Sequence, residues 1–124
     1  MAKRLYGKRG FTDKVMKIFN ATDDPDSAQT LLKIRKVIPK EQLKDRQNKS
    51  PPMSKFLEFA KKCPRAKFNS YVIGKEREDE RITVDGVTFP KQCMRKAKSV
   101  LLKTAHASPD ENWKVNSSTR WWWD

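Results

Sequence analysis

Side chains that hold metals or attack carbonyl groups are scarce in this sequence. His106 is the only histidine, so a zinc site would need Cys63, Cys93 and His106 to converge with no close-spaced ligand pair among them, a weak pattern for tetrahedral zinc. A cysteine nucleophile activated by His106 needs an accessible thiolate. Both cysteines instead fall on the apolar stripes of helical patterns, where inert packing is the usual role, and their spacing is also compatible with a single bridge. Two acidic clusters remain: Asp23, Asp24 and Asp26, and then Glu76, Glu78, Asp79 and Glu80. They could bind a divalent cation for hydrolysis only if they met in space. The first cluster suits the positive end of a helix, and the second reads as a solvated loop. No glycine-rich phosphate loop is present. The expectation is a protein that is not an enzyme and carries no metal or cofactor.

The chemistry that does stand out is cationic and aromatic. The chain has 28 Lys and Arg against 15 Asp and Glu, a formal charge of +13 over 124 residues. Self-repulsion on this scale disfavours compaction unless a polyanion screens it, which points to nucleic acid, an acidic protein surface or an anionic membrane. The expected partner is nucleic acid, with an acidic protein surface or self-association as the alternatives. No long apolar run argues for a membrane. The basicity is spread along the chain: net +5 over residues 1–20, +5 over 31–50, +5 over 51–75 and +4 over 91–124, broken by −3 over 21–30 and −3 over 76–90. Backbone binding benefits from such a spread, because each neutralised phosphate releases counterions. Two groups of cations are the candidate phosphate contacts. One is a basic arm over residues 1–10, with Lys3, Arg4, Lys8 and Arg9; the other is Lys91, Arg95, Lys96, Lys98 and Lys103 on one side of the last helical pattern.

Trp121, Trp122 and Trp123 follow Arg120 at the end of the chain. In a strand, Trp121 and Trp123 point to one face and Trp122 to the other. Rings beside cations can stack on unpaired bases, form a hot spot for a protein partner, or clamp the terminus onto the core. Arg120 and the three tryptophans therefore join the candidate nucleic-acid-binding residues, while Trp113 reads as structural.

These residues must be positioned by elements that the periodicity suggests. A first helix follows Thr12 as cap, with Phe11 and Met16 as a staple and Val15, Met16, Ile18 and Phe19 as its buried face. A second starts with Asp24 as cap and Pro25 in its first turn, using Ala28, Leu31, Leu32, Ile34 and Ile38. Lys40 to Ser50 reads as a linker or frayed helix. Met53, Phe56, Leu57, Ala60 and Cys63 define a third helix between Pro52 and Pro64. Phe68 to Ile73 reads as a short strand. Ile82-Thr83-Val84 and Val87-Thr88-Phe89 around Asp85-Gly86 predict a hairpin. Pro90 opens a fourth helix with Cys93, Met94, Ala97, Val100, Leu101 and Ala105 inward and Leu102 on the basic side, and Thr119 to Trp123 suits a last strand beside the hairpin.

The succession over residues 81–105 of strand, Asp-Gly turn, strand ending in Phe89, Pro90 and an Ala-bearing helix is similar to small DNA-binding modules appended to homing nucleases and other DNA enzymes. Lys91, Arg95 and Lys96 stand where such modules carry small or polar residues, so no site residue follows from that resemblance. The expected architecture is α+β and mostly helical, with about four helices and a small antiparallel hairpin or sheet near the C-terminus. It comprises the arm at 1–10 and one domain at 11–124, with a helical part at 11–64 and a hairpin, helix and terminal strand at 68–124. The expected function is non-enzymatic binding of RNA or DNA, with a composition that suits a viral or mobile-element protein. The alternatives are an inhibitor or interaction module gripping an acidic surface of a nucleic-acid enzyme, and a nucleocapsid or ribonucleoprotein component. With no signal peptide and two buried thiols, an intracellular, reducing location in cytoplasm or nucleus is expected.

Overall fold

The apolar periods of the N-terminal half become three helices in the computed structural model, which describes residues 9–123. They are α1 (Phe11–Asn20), α2 (Ala28–Ile34) and α3 (Met53–Lys62). Their starts differ from the predicted caps. α1 begins at Gly10, whose φ of 99° is a left-handed conformation that glycine adopts without steric cost. Thr12 is inside the helix. The capping oxygen comes from far along the chain: Glu80, buried, accepts from the Gly10 N–H (2.9 Å), the Thr12 N–H (3.2 Å) and the Thr12 hydroxyl (2.6 Å). One member of the expected solvated acidic loop is thus the anion at the positive end of α1. Met16 is exposed, so no staple forms with Phe11, and Val15 is the fully buried residue of the first face. α2 is capped by Ser27, which accepts from the Thr30 N–H at 3.1 Å, in place of Asp24. α3 matches its pattern, with Met53, Phe56, Leu57, Phe59 and Ala60 buried.

The expected linker over 40–50 contains a 3-10 turn (Lys40–Lys44). Its Gln42 is fully buried and bonds both backbone groups of Ile82, donating from Nε2 to the carbonyl and accepting from the N–H, each at 2.9 Å. It pairs with the sheet as a strand residue would, satisfying groups that burial would otherwise leave unpaired.

The sheet is larger than a hairpin. β1 (Lys67–Ile73), β2 (Arg81–Pro90), β3 (Glu111–Val115) and β4 (Ser118–Trp122) form one antiparallel sheet in the order β1-β2-β4-β3. The fold is mixed α+β, and the expectation of a mostly helical chain with a small hairpin understates the strands. Asp85-Gly86 is not a turn. It lies mid-strand in β2, where Asn69 pairs with Gly86 and Ser70 with Val84, leaving Asp85 as the extra residue of a bulge. Gly86 serves close approach: a Cβ there would stand 3.1 Å from Trp122 Cδ1 and 3.2 Å from the Trp121 carbonyl. The similarity to nuclease-appended modules loses its basis, since the strand, turn and strand it required is a single strand. The actual hairpin joins β3 and β4 through Asn116, at φ 57°, a conformation asparagine tolerates. β3 carried no strand expectation.

Helices cover one face of the sheet. Phe56, Phe59, Phe68, Phe89, Trp121 and Trp123 pack edge to face in a continuous chain, with centroid separations of 4.9 Å for Phe89–Trp121 and 6.1 Å for Phe56–Trp123. Cys63, just past α3, is joined in a disulfide to Cys93. The expectation of two separate thiols is thereby corrected, and with it the cysteine argument for a reducing compartment. Among the described residues no helix is long and apolar enough to cross a membrane.

Candidate nucleic-acid interface

Beyond β2 the chain turns into a short mixed helix. A 3-10 turn (Lys91–Cys93) leads into α4 (Met94–Ala97), which continues as a π turn (Lys98–Leu102). Ala97, Val100 and Leu101 are buried, and Cys93 ties the first turn to the end of α3. These anchors fix the opposite side in space. In a regular α-helix Lys103 would lie ~140° around the axis from Lys98. The π turn closes a longer loop, with the Lys103 N–H donating to the Lys98 carbonyl at 3.3 Å, and so returns Lys103 toward Lys98.

The result is an open hollow of about 800 Å³ lined by Lys91, Gln92, Met94, Arg95, Lys96, Lys98, Ser99 and Lys103. All five cations expected from this segment meet in it. Among the described residues no carboxylate pairs with any of them, and Lys96 donates only to the Lys62 carbonyl, at 3.0 Å. Half-buried Met94 supplies an apolar part of the lining.

Cations elsewhere are differently placed. Lys55 and Lys62 both reach Glu58 at 3.2 Å, and their hydrogen bonds hold its carboxyl below the usual carboxylate range. Lys67 pairs with Asp24, Lys75 with Asp13 (2.9 Å), and Arg77 (2.8 Å) and Arg81 (3.0 Å) with Asp79. Of the basic arm, Lys3, Arg4 and Lys8 lie outside the described residues. Arg9 donates to the Lys75 carbonyl at 2.8 Å, on the acidic-loop side.

The tryptophans divide by strand alternation. Trp121 and Trp123 face the helices at 2% and 0% exposure, so neither can offer a ring face to a base, and both leave the set of candidate contacts. Their indole N–H groups are satisfied internally, by Asn112 Oδ1 and the Ala107 carbonyl, each at 3.0 Å. Trp122 and Arg120 are half-buried on the other face. Trp113, read from sequence as structural, is 48% exposed, with the Arg120 guanidinium 5.6 Å from its ring centroid. The sequence signal for this strand is short, Trp113 and Val115 two residues apart between polar neighbours.

Comparison of the chain with protein-family models, with curated proteins and with solved structures finds no match.

Proposed function

We propose that the protein binds the phosphate backbone of nucleic acid through the hollow of residues 91–103, and that it catalyses no reaction. The observation that carries this reading is the convergence of Lys91, Arg95, Lys96, Lys98 and Lys103 in one open hollow without a carboxylate partner among the described residues. Unpaired cations held on a packed element keep their attraction for an external anion, and releasing the counterions of a polyanion adds favourable entropy at each contact. A lone phosphate would engage only part of so wide a hollow, whereas a polymer engages all of it. An intracellular site of action, in cytoplasm or nucleus, belongs to the same proposal. It requires the domain to stay folded with the Cys63–Cys93 bridge reduced, since such compartments keep thiols apart.

The test is a titration of the full chain with single-stranded and duplex oligonucleotides between about 50 mM and about 200 mM salt. The expected affinity falls steeply with salt, and the triple substitution K91Q/R95Q/K98Q flattens the logarithmic salt slope by about 2–3, near 0.9 per phosphate contact on a duplex. Binding that ignores salt, or a triple variant that binds as the intact chain does, rejects the reading. In that outcome an acidic protein surface becomes the partner to seek.

A further inference from the structure

We propose that the face of the sheet turned away from the helices is a base-stacking surface, which makes single-stranded nucleic acid the preferred ligand. This inference rests on the phosphate reading above and adds a second surface to it. In β4, Thr119 and Trp121 point into the core, so Arg120 and Trp122 share the opposite face. The register sets Trp113 of β3 directly across from Arg120. Two indoles therefore flank one guanidinium, and Arg120 over the Trp113 ring is placed for a cation–π contact. The missing side chain at Gly86 lets Trp122 approach β2 closely, which supports that ring from below.

A tryptophan at 48% exposure leaves a large apolar area in water, and that area gains most from a flat aromatic partner. The surroundings favour a base over an apolar protein side chain. Thr88 pairs with Arg120 on the side opposite Trp113, so the face alternates rings with a cation and hydrogen-bonding groups. Stacking platforms for single strands combine these features, and the adjoining basic hollow adds the phosphate contacts that such a strand needs. Three carboxylates border this face. Asp85 accepts from Asn69 Nδ2 at 2.7 Å, Glu111 stands across from Trp122 on the edge strand, and Asp26 lines a hollow with Thr88 and Arg120, so the cations that take the phosphates are those of the hollow at residues 91–103.

Continuity with the hollow gives the occupant its path. Pro90 pairs with Ser118, and the Lys91 N–H donates to the Ser117 carbonyl at 3.2 Å, so the basic segment begins where this face ends. Along β4, Ser118 to Trp122 spans ~14 Å. A strand with phosphates in the hollow can extend its next bases over Arg120 onto Trp122 and Trp113. A duplex keeps its bases paired and stacked on one another, and gains only the phosphate contacts.

The experiment measures affinity of the full chain for an oligothymidine strand, an abasic strand of equal length and a duplex, with tryptophan fluorescence as a second readout. The intact chain is expected to bind oligothymidine tighter than the abasic strand, with quenching. Trp113→Ala is expected to weaken oligothymidine binding about 5- to 150-fold, the range for one stacked base, while abasic and duplex affinities stay as they were, which also certifies the fold. Trp113→Phe is expected to restore most of the loss. Equal affinity of the intact chain for thymidine and abasic strands overturns the stacking surface and leaves the phosphate reading standing. So does a Trp113→Ala variant indistinguishable from the intact chain on all three ligands, with a protein partner then the occupant to seek. If none of the three polymers binds, the phosphate reading falls and this inference falls with it.

Discussion

The loop before β2 and the segment after it are both dense in charge, yet they use it in opposite ways. Before β2, Asp79 pairs with Arg77 and Arg81, Lys75 pairs with Asp13, and Glu80 closes the first turn of α1. After it, five cations share a hollow with no carboxylate partner among the described residues. Charge in the first region is consumed in holding α1 and the loop to the sheet; in the second it remains available to an outside anion. The count of lysines and arginines does not separate the two cases. The position of the carboxylates does, so substitutions in the first region should alter stability and those in the second should alter binding.

The largest expected effect comes from the bridge that moors the second region. Cys63 and Cys93 are 30 residues apart in sequence, and opening a loop of that size costs about 3–4 kcal/mol on the chain-entropy account. The variant C63S/C93S, or the protein in reductant, should therefore melt roughly 10–15 °C lower by calorimetry, and should remain folded because Ala97, Val100 and Leu101 still anchor the segment. Unfolding at room temperature on reduction would contradict an intracellular role. In the first region, Glu80→Gln should cost about 2–3 kcal/mol, since a carboxylate accepting several buried hydrogen bonds is replaced by a neutral group. Its salt slope on nucleic acid should equal that of the intact chain. A changed slope would mean that the two regions are not separable.

Much of this division is invisible along the sequence for identifiable reasons. α3 is legible because its 3.6-residue period is intact and prolines stand at both ends. β4 is legible because three consecutive tryptophans can only alternate. The partner of α1, by contrast, is a carboxylate 68 residues from Thr12, and no local rule finds it. Asp85-Gly86 carries the strongest local hairpin signal and is overridden by the pairing of β2 with strands on both sides, where the glycine is needed for the approach of Trp122. The five cations of the candidate site could be grouped from helical spacing. That they share one hollow depends on the π turn, and that they lack acid partners depends on where α1, α3 and the loop place their carboxylates. The exposure of Trp113 is not legible, because the alternation that marks its strand is only two apolar residues long.

The contrast sharpens further when the hollow is neutralised without touching its anchors. Lys91, Arg95 and Lys98 repel one another in the free protein, so K91Q/R95Q/K98Q should leave the melting temperature unchanged or slightly raised while it weakens binding, the reverse of the Glu80→Gln pattern. A marked loss of stability in the triple variant would assign these side chains to the fold and erase the distinction.

The smallest effect is expected at Glu58, where two cations are paired as they are in the first region but on an exposed helix surface. The hydrogen bonds from Lys55 and Lys62 lower the carboxyl pKa from its usual 4.5. A lowered folded-state value contributes stability above the unfolded pKa, and that contribution is lost as the pH falls through the folded one. Glu58→Gln should therefore cost no more than about 0.5–1 kcal/mol near neutrality, as exposed pairs do, and the difference from the intact chain should vanish in acid. Because the substitution also frees Lys55 and Lys62 of their partner, it should steepen the salt slope if these lysines lie within reach of the bound strand. A slope unchanged by Glu58→Gln would confine the phosphate path to the segment after β2.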